Sequence, residues 1–254
     1  MTESSQGTYK NLVEMLDNSQ KLYADRPLYG TKRNGNYEWT TYGQFAEKVN
    51  DLRGGLASLG VSSGDKVSII SKNTEEWAVS AYATYGLCGQ HIPMYETQLA
   101  KEWEYIVRDC SAKILLVSNP TVLEQTLDFP ERIDSLEHVI LISGTSSNEV
   151  KTYDDLLKIG QENPVEAQHP EPASPMGMIY TSGTTGDPKG VILSHRNIIF
   201  ECQAVLPLLG MTENDRSLAF LPWAHVFGQV AEVHGLLTVS YTHLRAHETV
   251  LDLV

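Results

Sequence analysis

Phe45, Val49, Leu52, Leu56 and Leu59 follow one another at spacings of four, three, four and three, which draws one apolar stripe along a helix. The pattern predicts a helix over residues 41–59, ended by Gly60. Leu12, Val13 and Leu16 share a face of an earlier helix, residues 9–24, which Pro27 closes off. Between the two, residues 28–33 and 36–40 flank Asn34-Gly35, a dipeptide that favours the type I′ turn, so a β-hairpin is expected there.

From residue 66 onward the periods alternate. Residues 66–70 and 90–94 read as strands. Residues 113–117 and 138–142 are unbroken apolar runs, as expected of strands covered on both faces. Asn73-Thr74-Glu75-Glu76 resembles a capping box opening a helix that reaches about residue 87. A further helix spans residues 99–110, with Trp103, Ile106 and Val107 inward. This alternation predicts an α/β fold of about five mostly parallel strands flanked by helices. Residues 144–175 carry Pro164, Pro170, Pro172 and Pro175, with one short helix over 152–159, and read as a surface connector. Later, Ser194 caps a helix over residues 196–206 that Pro207 and Gly210 end. A short strand over 217–221 and a helix over 229–237 follow.

A chain of 254 residues, 41% hydrophobic, is long enough to bury a sizeable core. The net charge of −13 argues against a nucleic-acid surface. Cys88, Cys110 and Cys202 lack metal-ligand spacing and sit in apolar contexts, which suits reduced thiols of a cytoplasmic protein. The N-terminus has no signal-peptide pattern, and no apolar run approaches membrane-spanning length. Peripheral membrane contact is compatible with this composition.

The chemistry concentrates in Tyr180-Thr181-Ser182-Gly183-Thr184-Thr185-Gly186-Asp187-Pro188-Lys189-Gly190. Glycines let backbone N–H groups turn inward, hydroxyls add donors, and Lys189 brings a full positive charge. Such a loop suits a polyphosphate. It is not a Walker loop, because Pro188 occupies the second glycine position and Gly190 follows the lysine. Composition alone also allows a flexible Gly/Thr hairpin loop.

The string resembles, at every fixed position, the signature loop of the adenylate-forming superfamily. Gly64-Asp65-Lys66-Val67, Asn73-x-x-Glu76-Trp77, Pro93-Met94-Tyr95-Glu96-Thr97 and Leu221-Pro222-x-x-His225-x-x-Gly228 extend the likeness in order. The Pro-Met-Tyr-Glu-Thr and Leu-Pro-x-x-His-x-x-Gly strings are most similar to long-chain fatty-acid–CoA ligases. The resemblance implies part of the large N-terminal domain of such an enzyme. The substrates it implies are ATP, a fatty acid and coenzyme A, with Mg2+ as the metal. It implies binding of ATP and pyrophosphate by Thr181, Ser182, Gly183, Thr184, Thr185, Gly186 and Lys189, with Thr181 as a magnesium ligand. His225 is expected near the acyl and adenylate pocket, where it and Lys189 support rather than carry the chemistry. Trp223 reads equally as pocket lining or core aromatic. His195 and Arg196 read as the exposed start of a helix, and His234 as structural.

The later motifs of that superfamily, including Tyr-Gly-x-Thr-Glu and the adenylating lysine, are not found. Residues 1–238 read as an incomplete N-terminal domain, expected to be inactive alone and poorly soluble. Residues 239–254 read as a tail foreign to the family and artefactual. Two other readings stay open: a ligase for another acid or a fatty acyl-AMP ligase, and a truncated product without catalysis.

Overall fold

The computed structural model describes residues 9–33, 36–145, 149–181, 186–209, 216–238 and 242–245. Helix α1 (Leu12–Tyr23) starts at Asn11, whose side chain accepts the Glu14 N–H. Strands β1 (Pro27–Arg33) and β2 (Asn36–Thr41) pair antiparallel. The expected Asn34-Gly35 turn between them lies outside the described residues. Thr41 and Gln44 close a reciprocal capping box on α2 (Tyr42–Ser58), so local sequence sets this boundary to the residue.

The alternating section runs β3 (Lys66–Ile70), α3 (Glu75–Tyr85), β4 (Gln90–Met94), α4 (Ala100–Asp109), β5 (Ile114–Val117), α5 (Pro120–Glu124), α6 (Phe129–Arg132) and β6 (His138–Leu141). Thr74 caps α3 by accepting the Trp77 N–H. Helices α5 and α6, of five and four residues, were not legible in the sequence, because neither is long enough to show a period. Helix α7 (Tyr153–Glu162) lies in the connector. Then come β7 (Pro175–Thr181), β8 (Lys189–Ser194), α8 (His195–Leu209) and β9 (Arg216–Ala219). Helix α8 runs two residues past Pro207, where a stop was expected.

The last helix, α9, begins with Val226–Gly228, widens to a π-helix over Gln229–His234 and ends as Gly235–Leu237. Strand β10 (Thr242–Arg245) falls within the segment that the sequence sets apart as foreign.

Two sheets result. One has the order β2-β1-β10-β9, with β10 parallel to both neighbours. The other has the order β6-β5-β3-β4-β7-β8 and is parallel except for the β7–β8 hairpin at its edge. Four of the five parallel strands of the second sheet fall between residues 66 and 142, and β7 is the fifth. Its central strands divide their side chains between two cores, as the two-residue period of a strand demands. Val67, Ile69, Ile114 and Leu116 join the core with α2 and α3, while Ile70, Leu115 and Val117 join the one with α4.

Candidate functional site

The signature loop is carried by a two-stranded stem. Across β7 and β8, Ile179 pairs with Val191, Tyr180 with Gly190 and Thr181 with Lys189. Cross-strand partners share a face, so the Thr181 hydroxyl and the Lys189 ammonium stand side by side at the mouth of the loop. Both are exposed, and Lys189 has no hydrogen-bond or ion-pair partner among the described residues. Ser182, Gly183, Thr184 and Thr185 lie outside the described residues; Gly186 is exposed.

The opposite face of the stem is anchored. Tyr180 donates its phenol hydrogen to Asp109 Oδ2 at 2.6 Å, tying the hairpin to the end of α4. Burial, then Asp109 itself, holds the phenol well above its ordinary pKa, so it stays a donor. A Cβ at Gly190 would lie 3.0 Å from the Tyr180 ring, which is why a glycine pairs with it. Replacing Tyr180 with Phe is expected to cost about 1.5–3 kcal/mol, the range for hydrogen bonds to charged groups. Denaturant unfolding checks the cost, and the amides of β8 should exchange faster.

The second motif forms a turn between β9 and α9. Trp223 is 2% exposed, packed against Tyr29 and Trp77 at ring separations of 6.1 and 5.6 Å, and its indole N–H donates to Glu232. It is thus a core aromatic. Its neighbour His225 is exposed and caps α9, with Nδ1 accepting the Phe227 N–H at 3.2 Å. Gly228 closes the motif because a Cβ there would lie 2.4 Å from the Pro222 carbonyl oxygen.

Beside this turn runs an apolar groove of about 780 Å3, open to solvent, between β8, α8 and α9. Ile192, Phe200, Val205, Val226, Phe227 and Val230 supply its apolar wall, and Arg196, Asn197 and Glu201 its polar edge. Phe200 and Phe227 are 67% and 58% exposed. Trp223 and His225 are not among the residues lining it. Neither Phe200 nor Phe227 stands out as a site residue in the sequence. A signal was available for Phe200, a large apolar side chain on the face of its helix that carries Arg196, Asn197 and Glu201.

His195 corrects an expectation. Placed at the surface by its position after a helix cap, it is wholly buried, with Nδ1 accepting the Leu12 N–H at 3.4 Å and Tyr85 edge-on at 5.3 Å. Arg196 is exposed as expected. His234 is also wholly buried, in hydrogen-bond contact with the Tyr82 hydroxyl at 2.9 Å. Among the described residues no group of three His, Cys, Asp or Glu side chains is placed to hold a metal. No helix among them is long and apolar enough to cross a membrane.

Comparison with known proteins agrees with this geometry. The family model described as AMP-binding enzyme matches residues 16–252, across the boundary at residue 238. Fatty acyl-CoA synthetase A of Dictyostelium discoideum is 31% identical over 221 residues, 83% of this chain and 33% of that protein. The long-chain-fatty-acid–CoA ligase FadD15 of Mycobacterium bovis is 30% identical over 93% of this chain and 40% of its own length. The chain therefore spans about a third to two fifths of the curated relatives it matches. Among solved structures, the anthranilate CoA ligase AuaEII in complex with anthranoyl-AMP superposes with a TM-score of 0.85 at 24% identity, covering 96% of this chain and 46% of that one. A long-chain-fatty-acid CoA ligase from Rhodopseudomonas palustris gives 0.83 at 20% identity over 94% of this chain and 58% of that one. At these identities the structures speak for the fold alone.

Proposed function

The chain belongs to the AMP-binding enzyme family, and from that premise we propose that it forms part of an acid–thiol ligase that activates long-chain fatty acids. The single observation that carries this reading is the division of β8. Lys189 opens the strand at the loop mouth, and Leu193 of the same strand, on the same face, lines the apolar groove. Four steps of extended chain separate them, about 13 Å. A cationic, hydroxyl-rich loop and an apolar groove are thus set at fixed spacing, as joining a polyphosphate to an acyl chain requires.

A carboxylate resists attack by a thiol until its oxygen is esterified with a good leaving group. Displacement of pyrophosphate from ATP by the acid supplies that group as AMP, which the thiol of coenzyme A then displaces. Attack at phosphorus depends mostly on positioning and charge neutralisation. Lys189, with the loop residues Thr181, Ser182, Gly183, Thr184, Thr185 and Gly186, would hold the leaving pyrophosphate. Among the described residues the Thr181 hydroxyl brings one neutral oxygen donor to the loop mouth. That donor set suits a magnesium ion delivered on the phosphates, which would add charge neutralisation, and not one held by protein alone. The groove would take the acyl chain, with His225 near its rim.

Acid-dependent ATP–pyrophosphate exchange, measured across an acid panel in a polypeptide of the relatives' full length that contains this chain, tests the reading. Long-chain acids should give the highest kcat/KM, and coenzyme A should accept the acyl group. Preference for short or aromatic acids, or transfer only to a carrier protein, would replace this reading with another ligase. The 254-residue chain alone is expected to show no exchange. Lys189→Ala should weaken pyrophosphate binding about tenfold or more, the loss of one charge-assisted contact; 31P line broadening measures it.

A further inference from the structure

The turn between β9 and α9 is held by side chains in place of a backbone ladder. Glu232 Oε1 accepts the N–H groups of Phe220 at 3.2 Å and Leu221 at 3.0 Å, and Oε2 accepts the Trp223 indole N–H at 2.9 Å. From the other side Asn73 donates to the Leu221 carbonyl at 2.8 Å and accepts the Trp223 backbone N–H at 3.0 Å. Gln229 donates to the Trp223 carbonyl at 3.0 Å. Five backbone polar groups of the turn, the N–H groups of Phe220, Leu221 and Trp223 and the carbonyls of Leu221 and Trp223, thus meet one of three side chains.

Glu232 is 3% exposed, and a buried carboxylate is costly unless it is fully bonded. It lies within the π-helix, whose extra residue per turn changes the direction in which side chains leave the axis. A π-segment at this point aims the carboxylate back over the turn. Two residues beyond Trp223 stands His225, whose imidazole fixes the Phe227 amide at the groove rim.

We propose that Asn73 and Glu232 are positioning residues: a two-sided polar clamp that fixes the turn from Phe220 to His225 and, through it, the groove rim at Val226 and Phe227. The clamp itself stands on geometry alone. Its consequence for ligand binding rests on the reading of the groove as an acyl site.

Two single variants and one double variant test it in the 254-residue chain. Glu232→Gln keeps an oxygen for the two backbone donors but turns an amide N–H toward the Trp223 indole N–H. Hydrogen exchange at the Phe220, Leu221 and Phe227 amides should quicken about tenfold or more, while β3 and β5 keep their protection. Adding Trp223→Phe removes the opposed donor and should restore protection at Phe220 and Leu221, which a merely structural loss at either position would not do. Asn73→Ala should quicken the Trp223 amide by a similar factor. Binding of cis-parinaric acid, a fluorescent long-chain acid, should weaken about fivefold or more in both single variants. Unchanged exchange at the turn overturns the clamp, and so does equal quickening across the whole chain. If the unsubstituted chain binds no parinaric acid, the acyl reading of the groove fails, and the exchange pattern still decides the clamp by itself.

Discussion

On acidification from pH 6.5 to 4.5 the folded chain is expected to lose most of its stability. Three histidines in its interior cannot accept a proton without cost. His91, His195 and His234 are at most 2% exposed. Burial lowers their pKa values to about 3, about 4 and about 3, and for His234 the other two histidines add to the effect. No acidic group is among the causes acting on any of them. Their neighbours are neutral: the Ser80 hydroxyl on His91, the Tyr82 hydroxyl on His234, and the Tyr85 ring against all three.

The sign follows from proton counting. Each imidazole is neutral in the fold and titrates near 6.5 when unfolded, so the unfolded chain binds more protons as the pH drops. Stability is complete above about pH 6.5 and is lost as the pH falls toward the folded values. Each group contributes about 1.4 kcal/mol per pH unit once its unfolded form is charged. Three together reach about 8 kcal/mol at full effect by pH 4.5, against the 5–15 kcal/mol or so that holds a typical domain. Glu232 works the other way, since desolvation raises its carboxyl, but it is one group against three. A denaturant midpoint followed from pH 7.5 to 4.5 checks this. His195→Gln should flatten the slope by about one proton, and a midpoint constant across that range would refute the assignment of neutral, buried imidazoles.

Replacing Gly177 with Val is expected to detach the signature loop from the sheet. Strand β7 meets its inner neighbour β4 at one paired position, His91 with Gly177. A Cβ on Gly177 would lie 2.1 Å from the His91 carbonyl oxygen, and that oxygen is backbone, unable to swing aside. The strands must separate, and β7 carries with it β8, the Thr181–Lys189 pair and one wall of the groove. Overpacking of a close contact costs about 1–3 kcal/mol; with the lost pairing, about 3 kcal/mol or more is expected. Exchange protection should vanish in β7 and β8 before it falls in β3 and β5. Pyrophosphate binding should fall further than in Lys189→Ala. Val at Gly190, whose nearest neighbours are side-chain atoms of Tyr180, should cost less. A stable Gly177→Val variant with a protected hairpin would show that the strands do not approach as closely as this.

The family of the chain could be read from residues 180–190, because the string that resembles the family's signature is contiguous in the sequence. Helix and strand placement was legible for the same reason. The stripe from Phe45 to Leu56 is buried along its length, and Thr41 and Thr74, at the expected helix starts, each bond a backbone N–H three residues onward. What sequence could not supply is any fact resting on contact between distant segments. His195 follows a cap and ought to be exposed, yet Leu12 and Tyr85, 183 and 110 positions away in the chain, close over it. The motif leaves Trp223 equally a pocket or a core residue, and Tyr29, Trp77 and Glu232 take it into the core. Gly177 carries no motif, and only the approach of β4 makes its missing side chain necessary. Periodicity and capping act over a few residues and leave their mark in the order of the chain. Burial, close backbone approach and the sharing of buried hydrogen bonds are set by which segments the fold brings together, and the tertiary structure decided those.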